Sequence, residues 1–232
     1  MNIVTLIPTY NEVNHVARVV QRTRSLLPVV VIDDGSTDGS GAAAAEAGAT
    51  VLTHAENRGK GAALATGISW ALEQGCEAVV TLDADAQHDP DEILTFLEAY
   101  RADLADMIIG RRDFSQMPFR NQFGNRLGNR VLSWALRRPI PDNQCGYRLL
   151  NRRAMETLRF TTTGFEFEVE MIVQAIIAGL RLDWVDIRTI YAGESSHFRV
   201  FRDTVEFLKL AWRARQRVRQ GRRNGGRGTR DE

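Results

Sequence analysis

The sequence predicts a doubly wound α/β domain, a mostly parallel sheet with helices on both faces. Three observations carry that expectation. Short runs of β-branched apolar residues alternate along the chain with segments of helical periodicity, the pattern of a parallel sheet covered on both sides. Two of those runs end directly in carboxylates, Asp33-Asp34 and Asp83-Ala84-Asp85, and ligands of open α/β sheets sit beyond the carboxyl ends of strands. The length of 232 residues, 44% hydrophobic and 25% charged, suits one sizeable core with a C-terminal appendage.

In chain order, strands are expected over Ile3–Ile7, Val29–Ile32, Thr50–Thr53, Ala78–Leu82 and Asp106–Ile109. Helical segments near 13–26, 38–48, 60–74 and 90–100 separate them. Pro90 followed by Asp91-Glu92 marks a helix start, with proline in the first turn and acids at the positive end of the dipole. The pattern changes after Gly110. Residues 111–130 are rich in Arg, Asn and Gly, Val131–Leu136 reads as helical, and Tyr147–Leu150 as a strand. A long helix over Glu166–Ala178 closes at Gly179, a C-cap position, and Leu182–Ile190 alternates as a strand. Phe201–Val218 is helical again, and the Gly221–Gly228 stretch has the composition of a disordered tail.

The net charge of +1 conceals a division. Nine Lys/Arg and no acid lie between Lys209 and Arg230, so an acidic body carries a basic arm suited to an anionic surface. On the helix, Phe201, Val205, Leu208 and Trp212 share one face while arginines crowd the other, as in helices that lie on an anionic bilayer. No aromatic residue follows Trp212 to stack on bases, which argues against nucleic acid as a partner. Cys76 and Cys145 are too few for a disulfide framework and have no metal-ligand spacing. The N-terminus has no signal-peptide pattern, and no run of about 18 apolar residues occurs. The expected location is the cytoplasm, with peripheral contact at the inner face of the membrane.

The sharpest chemical signal is Asp83-Ala84-Asp85-Ala86-Gln87-His88, where a buried strand runs into two carboxylates one residue apart. Mg²⁺ or Mn²⁺ takes oxygen ligands and keeps room for water and phosphate, so Asp83, Asp85 and the Gln87 carboxamide form a candidate metal site. Asp33-Asp34-Gly35-Ser36-Thr37-Asp38 repeats the strand-then-acid pattern, though Asp-Gly and Ser-Thr-Asp are also ordinary turn chemistry. Pro8-Thr9-Tyr10-Asn11-Glu12 follows the first strand, offering a ring and a carboxylate to a base. Asn57-Arg58-Gly59-Lys60-Gly61 lets backbone approach a phosphate. Neither a Walker A loop nor a G-x-G-x-x-G after the first strand is present, against a P-loop NTPase and a dinucleotide oxidoreductase. Arg111 and Arg112 end the fifth strand in position to grip phosphate, and Arg148 in Cys145-Gly146-Tyr147-Arg148 adds a further guanidinium; a surface ion pair is the alternative role for each.

Taken together, in this order and spacing, these segments resemble family 2 glycosyltransferases of the GT-A fold, and most closely the polyprenol-phosphate (dolichol-phosphate) mannose and glucose synthases. The resemblance covers roughly residues 1–200. It implies a GT-A domain over 1–200, a basic amphipathic helix over 201–220 and a tail over 221–232. It implies a nucleotide-sugar pocket of Pro8, Tyr10, Glu12, Ile32, Asp34, Lys60, Asp83, Ala84, Asp85 and Arg111. Asp83, Asp85 and Arg111 would be catalytic, Asp83, Asp85 and Gln87 would serve the metal, and Arg111, Arg112, Arg120 and Arg126 an acceptor phosphate. Gly193-Glu194-Ser195 is present, but the flanking arginine and lysine of the mannose synthases are replaced by Ile190 and Ser196, which leaves donor and acceptor identity open. No Q-x-x-R-W motif of processive relatives occurs.

The expected reaction is a metal-dependent, inverting transfer of one sugar from a GDP- or UDP-sugar to a polyprenyl phosphate. A phosphomonoester is already an anion at neutral pH, so it needs positioning but no general base. A hydroxyl acceptor would need one, for which Glu166, Glu168 and Glu170 are candidates. A sugar-1-phosphate nucleotidyltransferase would carry a Gly-rich basic loop after the first strand, which Pro8–Glu12 is not.

Overall fold

A computed structural model describes residues 1–113, 119–159, 167–188 and 215–216. Its strands are β1 (Ile3–Thr9), β2 (Val29–Asp33), β3 (Thr50–Thr53), β4 (Ala78–Thr81), β5 (Met107–Arg112), β6 (Arg148–Asn151) and β7 (Leu182–Ile187). They form one sheet in the order β3-β2-β1-β4-β6-β5-β7. β1 pairs in parallel with β2 and β4, β2 with β3, and β5 with β7, whereas β6 runs antiparallel to both β4 and β5. Every residue of β2 and β4 is buried, which is why these central strands read as unbroken apolar runs and not as alternating ones.

The helices are α1 (Val16–Thr23), α2 (Ser40–Glu46), α3 (Lys60–Glu73), α4 (Ile93–Arg101), α5 (Phe119–Leu136), α6 (Arg152–Thr157) and α7 (Phe167–Ile177). The helix start at Pro90 is a single 3₁₀ turn leading into α4, with the Asp89 side chain accepting from the Asp91 N–H. Gly179 takes φ +70°, the left-handed C-cap geometry expected after α7.

Two elements depart from expectation. α5 begins at Phe119, well before Val131. Its Asn and Gly residues have weak helix propensity, so the local sequence does not announce it; buried Leu132, Ala135 and Leu136 anchor its last turns to the body. α6 was unexpected, although Asn151 caps it by accepting from the Ala154 N–H at 2.9 Å. β5 also runs three residues past Ile109, because β7 pairs alongside it as far as Arg112. The tail over 201–232 lies outside the described residues except for Arg215 and Gln216, which are helical. Among the described residues no helix is long and apolar enough to cross a membrane.

Asp106 ties this half of the sheet together. Its buried carboxylate accepts from the Arg181 N–H at 2.8 Å, the Asn151 amide at 3.0 Å and the Arg181 guanidinium at 3.2 Å. Burial alone would raise its pKa, but Arg181 and Asn151 favour the charged form and hold it below the usual carboxylate value. A carboxylate depressed in this way stabilises the fold above the unfolded pKa of about 3.9, and that contribution is lost as pH falls through the native value. Asp106→Asn is therefore expected to cost about 2 kcal/mol at pH 7. Urea unfolding should show the gap between parent and variant closing below about pH 4; a gap independent of pH would refute the assignment.

Candidate active site

Chain direction reverses at β1: β2 and β3 lie on one side, and the chain then returns to β4 on the other. The crevice beyond the carboxyl ends of β1, β2 and β4 is thus the expected place for a ligand. Two loops meet there and lock each other. The Asn11 N–H donates to Ser36 Oγ, the Thr37 N–H to Asn11 Oδ1, the Glu12 N–H to Ser40 Oγ and the Val13 N–H to Asp38. Asp33 accepts from the Ser36 N–H and lies under α2. Much of the Asp33–Asp38 motif is therefore turn chemistry that holds the first loop in place.

Asp34 is buried and accepts from three donors: His54 Nδ1 at 2.6 Å, the Arg58 N–H at 3.0 Å and the Gly59 N–H at 2.7 Å. It draws the Asn57–Lys60 loop against the end of β2. Tyr10 is exposed, Pro8 and Glu12 are half-buried at the rim, and Ile32 and Ala84 are enclosed in the core, Ile32 against α3.

Lys60, at the start of α3, bridges Asp83 Oδ1 at 2.7 Å and Glu168 Oε1 of α7 at 2.9 Å. Burial alone would lower the lysine pKa, but the two carboxylates raise it well above its usual value. Conversely, burial would raise the Asp83 pKa, yet Lys60, His88 and Arg112 hold it low. Lys60 and Asp83 are thus both ionised at neutral pH. Gly146 crosses directly over this pair, where an added Cβ would stand 2.5 Å from Asp83 Oδ2 and 2.9 Å from Lys60 Nζ, so a larger residue would displace the Asp83 carboxylate or the Lys60 ammonium. Thr81 Oγ1 pins that loop to β4 by donating to the Gly146 carbonyl at 2.6 Å.

Asp85 and Gln87 are half-buried past the end of β4, with the Gln87 N–H donating to Asp85 Oδ1 at 3.0 Å. Their donors are all oxygen, which fits a hard divalent cation. Among the described residues no three Asp, Glu, His or Cys side chains form a ready-made metal cluster, so water and diphosphate oxygens would have to complete the shell. His88 is buried against Tyr147, and burial pushes its pKa down to about 4.

The arginines divide between buried, paired and exposed positions. Arg148 is fully buried and donates to the carbonyls of Cys145 at 2.8 Å, Glu168 at 2.9 Å and Asn143 at 3.2 Å, so it braces the Gly146 loop and does not grip phosphate. Arg112 holds buried Asp142 through two bonds, at 2.7 and 3.0 Å. Arg111 is exposed and paired with Asp186 on the neighbouring strand. Arg111, Arg112, Asp113, Asp186 and Ile187 line a cleft of about 380 Å³. Arg126 is exposed on α5, and the Arg120 side chain lies outside the described residues.

Sequence reasoning missed His54, which spans Asp34 and Thr66 Oγ1, and Asp142, the anchor of Arg112. Neither sits in a recognisable motif, so no local signal could have found them. It did name Glu168, but as a possible base and not as the partner of Lys60.

The chain is similar to known proteins in sequence and in fold. Residues 5–159 match the model of glycosyl transferase family 2. An undecaprenyl-phosphate mannosyltransferase from Micrococcus luteus is 32% identical over 206 residues, covering 81% of this chain and 83% of that protein. A polyprenol monophosphomannose synthase from Mycolicibacterium smegmatis is 31% identical over 199 residues, covering 78% and 75%. A solved glucosyl-3-phosphoglycerate synthase from Mycobacterium tuberculosis, in complex with Mn²⁺, UDP and glucosyl-3-phosphoglycerate, superposes with a TM-score of 0.73. It is 17% identical and covers 94% of this chain and 80% of its own, a likeness of fold.

Proposed function

The chain is a hexosyltransferase of glycosyl transferase family 2, and from that premise we propose that it moves one sugar, with inversion, from a GDP- or UDP-sugar to a polyprenyl phosphate. The observation that carries this reading is the charged cluster at the sheet's switch point, Asp83 and Asp85 beyond β4 with Lys60 locked on Asp83. The names of the M. luteus and M. smegmatis relatives supply the acceptor class.

In this reading Tyr10, Glu12 and the loop drawn in by Asp34 hold the nucleotide. Lys60 and Asp83 orient the diphosphate and the sugar. Mg²⁺ or Mn²⁺ bound by Asp85 and Gln87 would neutralise charge on the leaving diphosphate. The acceptor phosphate, a dianion above its second pKa of about 6, needs no base; its oxygen bonds to the anomeric carbon as the bond to the diphosphate breaks. The cleft at Arg111 and Arg112 receives it, residues 1–200 form the catalytic domain, and the basic stretch over 201–220 with the tail over 221–232 would serve an anionic membrane surface.

The state of α7 supports a phosphate acceptor. The Glu168 carboxylate is engaged with Lys60, Glu170 is buried, and Glu166 lies outside the described residues. Glu168→Gln, which keeps an acceptor for Lys60, is expected to leave the single-turnover rate within about tenfold of the parent, whereas a loss on the order of 10² would mark a general base and a hydroxyl acceptor. The function itself is tested by incubating the protein with labelled GDP-mannose or UDP-glucose and a short-chain polyprenyl phosphate, with Mn²⁺ or with EDTA. Labelled lipid formed only with Mn²⁺ is expected. No lipid product with either donor, or full activity in EDTA, would refute it.

A further inference from the structure

His54 is a buried titratable side chain that the reaction proposed above does not use. It follows β3 directly, and its N–H fixes it to β2 by donating to the Asp33 carbonyl at 2.8 Å. The ring then reaches in two directions, Nδ1 to Asp34 Oδ1 at 2.6 Å and Nε2 to Thr66 Oγ1 of α3 at 2.9 Å. The Arg58 and Gly59 N–H groups also draw on lone pairs of Asp34, so its carboxylate serves as an acceptor throughout. The proton of the pair therefore sits on Nδ1, and the neutral ring offers Nε2 as an acceptor to the Thr66 hydroxyl.

The consequence reaches Lys60. Ala55, Glu56, Asn57 and Arg58 are exposed, so burial does little to hold the turn before α3. Its described anchors are the Asp34 carboxylate and Asn57 Oδ1, which accepts from the Gly59 N–H at 3.1 Å. Gly35 also lies close beneath it, where an added Cβ would stand 2.6 Å from the Glu56 carbonyl carbon. Lys60 comes next in the chain and begins the helix that carries Thr66. His54 thus holds both arms of the turn, the one entering Lys60 through Asp34 and the one leaving it through Thr66. Removing the Nδ1 donor would leave a buried carboxylate short of one of its three partners.

We propose that His54 is a positioning residue for the nucleotide-sugar donor. By holding Asp34 and Thr66 it keeps the 57–60 turn closed, with the Lys60 ammonium on Asp83, before the donor arrives. That this turn meets the donor rests on the glycosyl-transfer reading above; the hold on the turn does not. Without His54 the turn is closed for only a fraction of the time, so the apparent donor affinity falls by that fraction. The rate at saturating donor then changes little. A general loss of folded protein would do the reverse, lowering the rate at saturation and leaving KM where it was.

The experiment compares His54→Leu with His54→Asn, near-isosteric side chains of which only asparagine keeps a donor at the place of Nδ1. Thr66→Val, which spares the bond to Asp34, is measured beside them. Amide hydrogen exchange of the peptide over 55–61, followed by mass spectrometry, reads the turn with no donor present. That peptide is expected to exchange about tenfold or more faster in His54→Leu and within about threefold of the parent in His54→Asn. Initial rates with Mn²⁺, short-chain polyprenyl phosphate and labelled GDP-mannose or UDP-glucose read the donor site. Donor KM should rise about tenfold or more in His54→Leu, with kcat within about threefold, and His54→Asn should restore KM. Thr66→Val should move exchange and KM in the same direction by a smaller factor, and it decides the matter alone if His54→Leu does not fold. Exchange over 55–61 equal to the parent in these two variants overturns the proposal. So does faster exchange with an unchanged donor KM, or a loss as large in His54→Asn as in His54→Leu. A parent that forms no lipid product with either donor refutes the donor reading instead, and exchange then decides the hold on the turn by itself.

Discussion

Replacing Asp85 by alanine is expected to lower sugar transfer by about 10³-fold while the protein stays folded. The reason is the character of the site. In the proposed reaction charge would accumulate on the leaving diphosphate, where a bound divalent cation would be worth several kcal/mol, at 1.36 kcal/mol for each tenfold in rate. Asp85 stands half-buried beyond β4, outside the enclosed core, so the sheet does not depend on its side chain. Calorimetric titration of GDP and UDP in the presence of Mn²⁺ should show weakened binding to the variant, with its far-UV circular dichroism unchanged. Asp83→Ala should be comparably severe by a different route, since it removes the carboxylate on which Lys60 rests and leaves the lysine to Glu168 alone. Full activity of Asp85→Ala would end the metal-site assignment.

The largest expected loss of stability belongs to Arg148→Met. The guanidinium is fully buried, and burial lowers its pKa, though it remains a cation at neutral pH. It is held by three carbonyl oxygens drawn from two separate segments, Asn143 and Cys145 in the loop before β6 and Glu168 in α7. Methionine roughly fills the space but donates nothing, so three buried carbonyls lose their donor. With about 1–3 kcal/mol for each unsatisfied buried group and partial relaxation, the loss should reach about 3 kcal/mol or more. Urea unfolding measures it directly. Because the Gly146 loop covers Asp83 and Lys60, donor affinity should fall along with stability. A variant as stable as the parent would mean that the loop is held by other contacts.

Arg148 also illustrates where reading the sequence stopped. An arginine two residues after a glycine, in Cys145-Gly146-Tyr147-Arg148, reads as a further phosphate ligand or ion-pair partner, and nothing nearby in the chain says that the guanidinium points inward. Arg112 also carries a strong intramolecular partner, Asp142, while lining the cleft proposed for the acceptor phosphate. α5 escaped for the opposite reason: its Asn and Gly residues are poor helix formers, and only burial of its inner side makes it a helix.

Strand positions, the helices α1–α4 and α7, and the acids at the ends of β2 and β4 were determined by the sequence alone. These are local signals, in which unbroken apolar runs report burial on both faces and a carboxylate after such a run can only emerge at the sheet's edge. The motif spacing was enough to indicate the family, which the comparisons bear out. Only the tertiary structure decided which way β6 runs, that Asp34 is enclosed by His54 and the Arg58-Gly59 backbone, and that Lys60 reaches Glu168. That last pair is separated by 108 positions. Its geometry is set by how α3 and α7 pack on the sheet, and no periodicity within either helix encodes the distance between them.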